Sequence, residues 1–108
     1  MKISIIIPTY NEEITLIEIL KKVNEQKKIF NLEIIVSDDS STDKTKDLLL
    51  ENKHLYDQVV FNKRNLGKGS AIINSLNIVT GDYILIQDAD LEYDPSDYKR
   101  LLDPVLKD

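Results

Sequence analysis

Two carboxylates one residue apart, Asp88 and Asp90 in Ile84-Leu85-Ile86-Gln87-Asp88-Ala89-Asp90, are the side chains best spaced to do chemistry. They follow directly on an apolar run that reads as a strand, and a strand this apolar asks for burial on both faces, as in a parallel sheet. Open α/β sheets bind their ligands beyond the carboxyl ends of the strands. Two acids at such an end repel each other, and become tolerable when a divalent cation sits between them and a phosphate. The same pair also reads as ordinary loop acids capping the next helix. D-A-D by itself does not choose.

A second stretch complements the first. In Asn65-Leu66-Gly67-Lys68-Gly69, two glycines flank a lysine. Glycine lets backbone amides approach a ligand, and the lysine supplies charge for a phosphate. Neither G-x-x-x-x-G-K-[ST] nor G-x-G-x-x-G occurs, so this is neither a Walker loop nor a dinucleotide fingerprint. Pro8, Tyr10 and Glu12 follow the first apolar run, and Asp38 and Asp39 follow the second. An acid here can accept from a base or a ribose hydroxyl, but Glu12 can equally answer a helix dipole and Asp38 and Asp39 can cap a helix. Tyr10 also reads as a half-buried aromatic. Lys63 and Arg64 read as turn cations or as further phosphate counter-charges, and the lone His54 is given no role.

The elements that must position these residues alternate in type. Ile3 to Ile7 is a β-branched strand stopped by Pro8. Asn11 or Thr9 is expected to cap a helix with Glu12 and Glu13 in its first turn and Leu16, Ile19, Leu20 and Val23 facing inward. Leu32 to Val36 is a second strand, followed by a helix over about Asp43 to Asn52 with Leu48 and Leu49 inward. Val59-Val60-Phe61 is a third. A helix from Ser70 is marked by Ile72, Leu76 and Val79, with Ser75 beside them, and is expected to end at Gly81. Tyr83 to Gln87 is a fourth strand. Asp94-Pro95 starts a last helix with an inner stripe of Tyr98, Leu101, Leu102 and Val105. This βαβαβαβα order predicts an α/β fold, a Rossmann-like parallel sheet with helices on both faces. In such a sheet the loops after the first, second and fourth strands share one edge.

The bulk properties narrow the partners. With 42% hydrophobic and 31% charged residues, the 108-residue chain is globular in composition and long enough for one domain with a core. A net charge of −5 argues against nucleic acid as a partner. The chain has no cysteine, which removes any disulfide or thiolate metal site and fits a reducing, cytoplasmic setting. No apolar run approaches membrane-spanning length.

Four segments in order, Ile5-Ile6-Ile7-Pro8-Thr9-Tyr10-Asn11-Glu12, Val36-Ser37-Asp38-Asp39-Ser40-Ser41-Thr42-Asp43, Asn65-Leu66-Gly67-Lys68-Gly69 and Asp88-Ala89-Asp90-Leu91, resemble the family 2 glycosyltransferases of GT-A fold. The resemblance is to their dolichol-phosphate mannosyltransferase-like, polyprenyl-phosphate branch. It implies a nucleotide-diphosphate sugar donor, UDP- or GDP-linked, and Mg2+ or Mn2+. It assigns nucleotide contact to Pro8, Tyr10, Glu12, Asp39, Lys68, Asp88 and Ala89, and the metal to Asp88 and Asp90. It implies transfer to an acceptor such as a polyprenyl phosphate, and a full-length protein at the cytoplasmic face of the membrane. Ser40 departs from the family, standing where D-D-G-S has glycine. If that position needs positive φ, serine is strained there. Residues 1–108 match the donor-binding part of the domain. The catalytic base and acceptor site are expected beyond residue 108, so little or no transfer is expected of this chain alone, and self-association through a bared sheet edge is expected.

Three other readings are weighed. A receiver-like signalling domain needs an acid pair after the first strand, where this chain has Pro8-Thr9-Tyr10. A sugar-nucleotide pyrophosphorylase opens with a glycine-rich loop, and no glycine precedes Gly67. A nucleotide-binding module without catalysis would carry the same motifs.

Overall fold

The computed structural model describes residues 1–106. Four strands, β1 (Lys2–Thr9), β2 (Asn31–Asp38), β3 (Gln58–Phe61) and β4 (Tyr83–Ile86), form one parallel sheet in the order β3-β2-β1-β4. Between and after them lie α1 (Leu16–Glu25), α2 (Thr45–Glu51), α3 (Lys68–Ser75) and α4 (Tyr98–Leu106). Short 3-10 turns follow α1 and α2 and lead into α4. The chain winds from β1 outward to β3, then crosses back to place β4 on the other side of β1. The order therefore reverses between β1 and β4, and a crevice opens at the carboxyl ends of strands that flank such a reversal.

One face of the sheet holds the main core. Ile3, Ile5 and Ile7 of β1 and Leu32, Ile34 and Val36 of β2 pack with Leu16, Ile19, Leu20 and Val23 of α1, Leu49 of α2, and Tyr98 and Leu102 of α4. The inward stripe expected of α1 is buried in full. Leu49 is buried and Leu48 packs beside it, as expected for α2.

The opposite face is different in kind. It carries Ser4, Ile6, Glu33, Ile35 and Ser37, all buried. α3 lies against it, over β1 and β2. Its inward residues are Ala71 and Ser75, so of the expected positions Ser75 is buried and Ile72, Leu76 and Val79 are not. Small side chains bring the helix close enough for Ser37 Oγ to donate to Ala71 O at 2.7 Å. Leu76 is left 43% exposed and Ile73 65%. α3 also begins at Lys68 rather than Ser70 and ends well before Gly81. The role of Gly81 is close approach, not helix termination. A Cβ there would come within 2.6 Å of Ser4 N and Oγ.

Two further expectations are corrected. β4 is not buried on both faces, because α3 does not extend over it. Tyr83 and Leu85 pack on the core, while Ile84 and Ile86 are 46% and 39% exposed. In α4 Tyr98 and Leu102 are buried and Leu106 packs against the core, while Leu101 and Val105 are exposed, because positions 98, 102 and 106 share one helix face.

Glu33 forms a buried polar knot near the amino ends of the strands. Its carboxylate accepts from Ser4 Oγ at 2.5 Å, Thr80 N at 2.6 Å and Thr80 Oγ1 at 2.9 Å, with Lys2 Nζ at 3.4 Å. Burial pushes its pKa up, but these donors and Lys2 outweigh burial and hold it at about 2.

At the other end, the loops after β1 and β2 interlock. Asn11, Glu12 and Glu13 donate their backbone N–H groups to Ser41 Oγ, Thr45 Oγ1 and Asp43 Oδ2. In return Asn11 Oδ1 accepts from the N–H groups of Thr42 and Asp43. Asn11 therefore does not cap α1, and neither does Thr9, whose hydroxyl donates to Ile7 O. Glu12 and Glu13 lie in a turn before α1 rather than in its first turn.

Candidate functional site

The carboxyl ends of β1 and β4 border a cleft of about 270 Å3. Pro8, Tyr10 and Glu12 line it from the β1 loop, Asp39 from the β2 loop, Lys68 from the start of α3, and Asp88, Ala89 and Asp90 from the β4 loop. Each residue that the family resemblance assigns to nucleotide or metal thus lines the same cleft, whereas Lys63 and Arg64 do not. Asp38 does not. It is buried and accepts from Ser41 N and Oγ, holding its own loop.

The local backbone is unusual on this edge. Asn11 (φ 52°), Ser40 (φ 62°), Gly67 (φ 100°) and Leu91 (φ 66°) all lie in loops that surround the cleft. Ser40 adopts the left-handed conformation that glycine would take without strain, so the departure from D-D-G-S carries a conformational cost. Even so, Asp39 is well placed. Its Oδ1 accepts from Leu66 N at 3.1 Å and its Oδ2 from Gly67 N at 2.8 Å. Those bonds fix the segment that delivers Lys68.

Acids dominate the cleft. Glu12, Asp39, Asp88, Asp90 and Glu92 line it, against the single cation Lys68. The Glu12 carboxyl is raised from its usual value by burial and by the nearby charge of Asp90, with Asp43 and Asp88 adding to it. Lys68 is raised by its bond to Asp88, and Asp90 and Glu92 add to the effect. Lys68 Nζ forms an ion pair with Asp88 Oδ1.

Sequence reasoning missed the supports beneath the D-A-D loop. Gln87 is buried, and its Nε2 donates to Asp88 O at 3.1 Å and Tyr93 O at 2.9 Å, while its Oε1 accepts from Tyr98 OH at 2.7 Å. Thr15 Oγ1 donates to Ala89 O at 2.5 Å. Only the polarity of Gln87 inside an otherwise apolar run marked it. Glu92, two residues past the second acid, was passed over because no spacing rule pointed to it.

The donor set suits a hard divalent cation. It offers carboxylate oxygens only, with no histidine or thiolate. Among the described residues no group of three ligating side chains closes around one point. An open site with two carboxylates is the arrangement Mg2+ uses when phosphate oxygens and water complete its shell.

The description "Glycosyl transferase family 2" matches residues 4–108. The chain belongs to this family. A dolichol-phosphate mannosyltransferase of Pyrococcus furiosus is 34% identical over 106 residues, which are 97% of this chain and 30% of the relative. The chain thus spans about a third of the length of that relative. Glucosyl-3-phosphoglycerate synthase of Mycobacterium tuberculosis, solved with Mn2+, UDP and glucosyl-3-phosphoglycerate, superposes with a TM-score of 0.79 at 27% identity, over 97% of this chain and 39% of that one. A mannosyltransferase of Pyrobaculum calidifontis, solved with GDP-Man and Mn2+, does so with a TM-score of 0.72 at 32% identity, over 82% and 27%. The fold is accordingly the Rossmann-like sheet of GT-A glycosyltransferases. Receiver and pyrophosphorylase readings fall with the family assignment.

Proposed function

We propose that residues 1–108 are the donor-binding part of a metal-dependent glycosyltransferase, taking a UDP- or GDP-linked sugar together with Mg2+ or Mn2+. The observation that carries this reading is the convergence of three separate loops on one cleft, with the acid pair and the lysine facing each other across it. Pro8 and Tyr10 would form a wall for the nucleoside, Glu12 and Asp39 would accept from its polar hydrogens, and Lys68 would counter a phosphate. Asp88 and Asp90 would hold the cation, with the Ala89 backbone between them. A cation bound there would act as a Lewis acid toward the departing diphosphate. No residue of this cleft is assigned as the base.

The mannosyltransferase relative supports a lipid phosphate as acceptor for the whole protein. No described helix is long and apolar enough to cross a membrane. The bare outer side of β4, with Ile84 and Ile86 exposed, would let copies of this chain associate. A monomeric size at high concentration would count against that.

The donor reading is tested by thermal unfolding with UDP or GDP, each with and without Mn2+. A nucleotide at about a hundred times its Kd stabilises by about 2.7 kcal/mol. A metal-dependent shift abolished by Asp90→Ala is the expected result. No shift with either nucleotide would sink the reading. Glycosyl transfer by residues 1–108 alone would contradict the assignment of the base and acceptor site elsewhere.

A further inference from the structure

We propose that Lys68, paired with Asp88, holds the place of the divalent cation and moves to the donor diphosphate when the cation arrives, so that cation and nucleotide bind synergistically. This rests on the donor-site reading above and adds an order of charge exchange within it.

The geometry supplies each part. Among the described residues, Lys68 is the only partner of the Asp88 carboxylate, and the contact is a direct ion pair. Asp88 is three-quarters buried at its side chain, so the pair is shielded from water on one side. Lys68 itself is 57% exposed at its side chain. Its backbone is held, because Asp39 bonds the N–H groups of Leu66 and Gly67 immediately before it. A lysine stem on a fixed backbone can swing its ammonium through several ångströms without moving the helix.

Charge then dictates the exchange. With five acids and one lysine lining it, the cleft repels a diphosphate that comes alone. A cation that comes alone meets the ammonium already at Asp88, and like charges cannot share that carboxylate closely. Each ligand by itself must break the Lys68–Asp88 pair. Together they break it once, since the cation takes Asp88 and the diphosphate takes Lys68. A cost shared between two ligands appears as positive coupling, and the coupling is reciprocal.

The experiment measures Mn2+ binding to this chain from the free-Mn2+ electron paramagnetic resonance signal, alone and with UDP or GDP, in the native protein, Lys68→Met and Lys68→Arg. Circular dichroism melting checks that each is folded. The expected result is that Lys68→Met binds Mn2+ alone at least threefold more tightly, binds nucleotide without metal more weakly, and shows Mn2+–nucleotide coupling at least threefold smaller. Lys68→Arg, which keeps the charge, should resemble the native protein. Mn2+ affinity in folded Lys68→Met that is unchanged or weaker, or coupling that is undiminished, would overturn the proposal while leaving the donor site standing. Native protein that binds neither Mn2+ nor nucleotide would overturn both.

Discussion

Buried or half-buried acids occur at both ends of this sheet, and they are treated in opposite ways. At the amino end, Glu33 is surrounded by donors that match its lone pairs, and its pKa is held at about 2. At the carboxyl end, acids are set beside acids, and Glu12 is raised by burial and by its neighbours. The backbone follows the same division, for among the described residues those with positive φ all lie in the loops around the carboxyl-end cleft. A carboxylate that serves the fold is satisfied within the fold. In the cleft Asp39 is satisfied in that way, by Leu66 N and Gly67 N, while Glu12 and Asp90 stand among like charges.

Mutations at the two ends should therefore differ in sign as well as size. The largest effect is expected from Glu33→Leu, which orphans Ser4 Oγ and Thr80 N and should cost about 3 kcal/mol in denaturant unfolding. The same residue sets a pH dependence. Its folded pKa lies below its unfolded one, so its stabilisation is complete above about pH 4.5 and is lost as pH falls toward 2. A pH series of melts should show a loss of about 3 kcal/mol over that window, and Glu33→Gln should flatten it. Gly81→Ala comes next, because its Cβ would press on the Ser4 backbone. About 2 kcal/mol of destabilisation is expected from that overpacking.

At the carboxyl end the comparison would break if acids there also stabilised. Asp90→Asn is expected to leave stability unchanged within about 0.5 kcal/mol, or to raise it, as loss of a like-charge neighbour should. In titration calorimetry it should weaken metal-dependent nucleotide binding more than tenfold. A Tm drop as large as that of Glu33→Leu would erase the distinction. The smallest effect is expected at Ser40, where Ser40→Gly removes left-handed strain at φ 62°. Part of that relief is offset by the greater freedom of glycine when unfolded, leaving a gain of about 0.5 kcal/mol in melting experiments.

Much of this contrast could be read before any coordinates. The four strands and the buried stripe of α1 announce themselves by hydrophobic periodicity, because long apolar side chains meet the sheet there. Most of the cleft residues follow from topology, since parallel strands carry their following loops to one edge, but Glu92 does not. What periodicity could not reveal is packing by small residues. α3 is turned so that Ala71 and Ser75 meet the sheet, and an apolarity count favours Ile72 and Leu76 instead. Nor does local sequence reveal hydrogen bonds to distant partners. Gln87 owes its place to Tyr98, and Glu33 to Thr80, across separations no motif encodes. Asn11 looks like a cap for the helix it precedes and serves the neighbouring loop instead.

The interlock between the loops after β1 and β2 has a practical consequence for anyone recombining such proteins. Seven hydrogen bonds join Asn11, Glu12 and Glu13 to Ser41, Thr42, Asp43 and Thr45, and each loop supplies groups the other lacks. The two are one interchangeable part written in two places in the sequence. A chimera with a crossover point inside α1 or β2 would inherit half of each lock. A graft that carries both loops from a single parent would keep Pro8 and Tyr10 in step with Asp39 on the cleft wall.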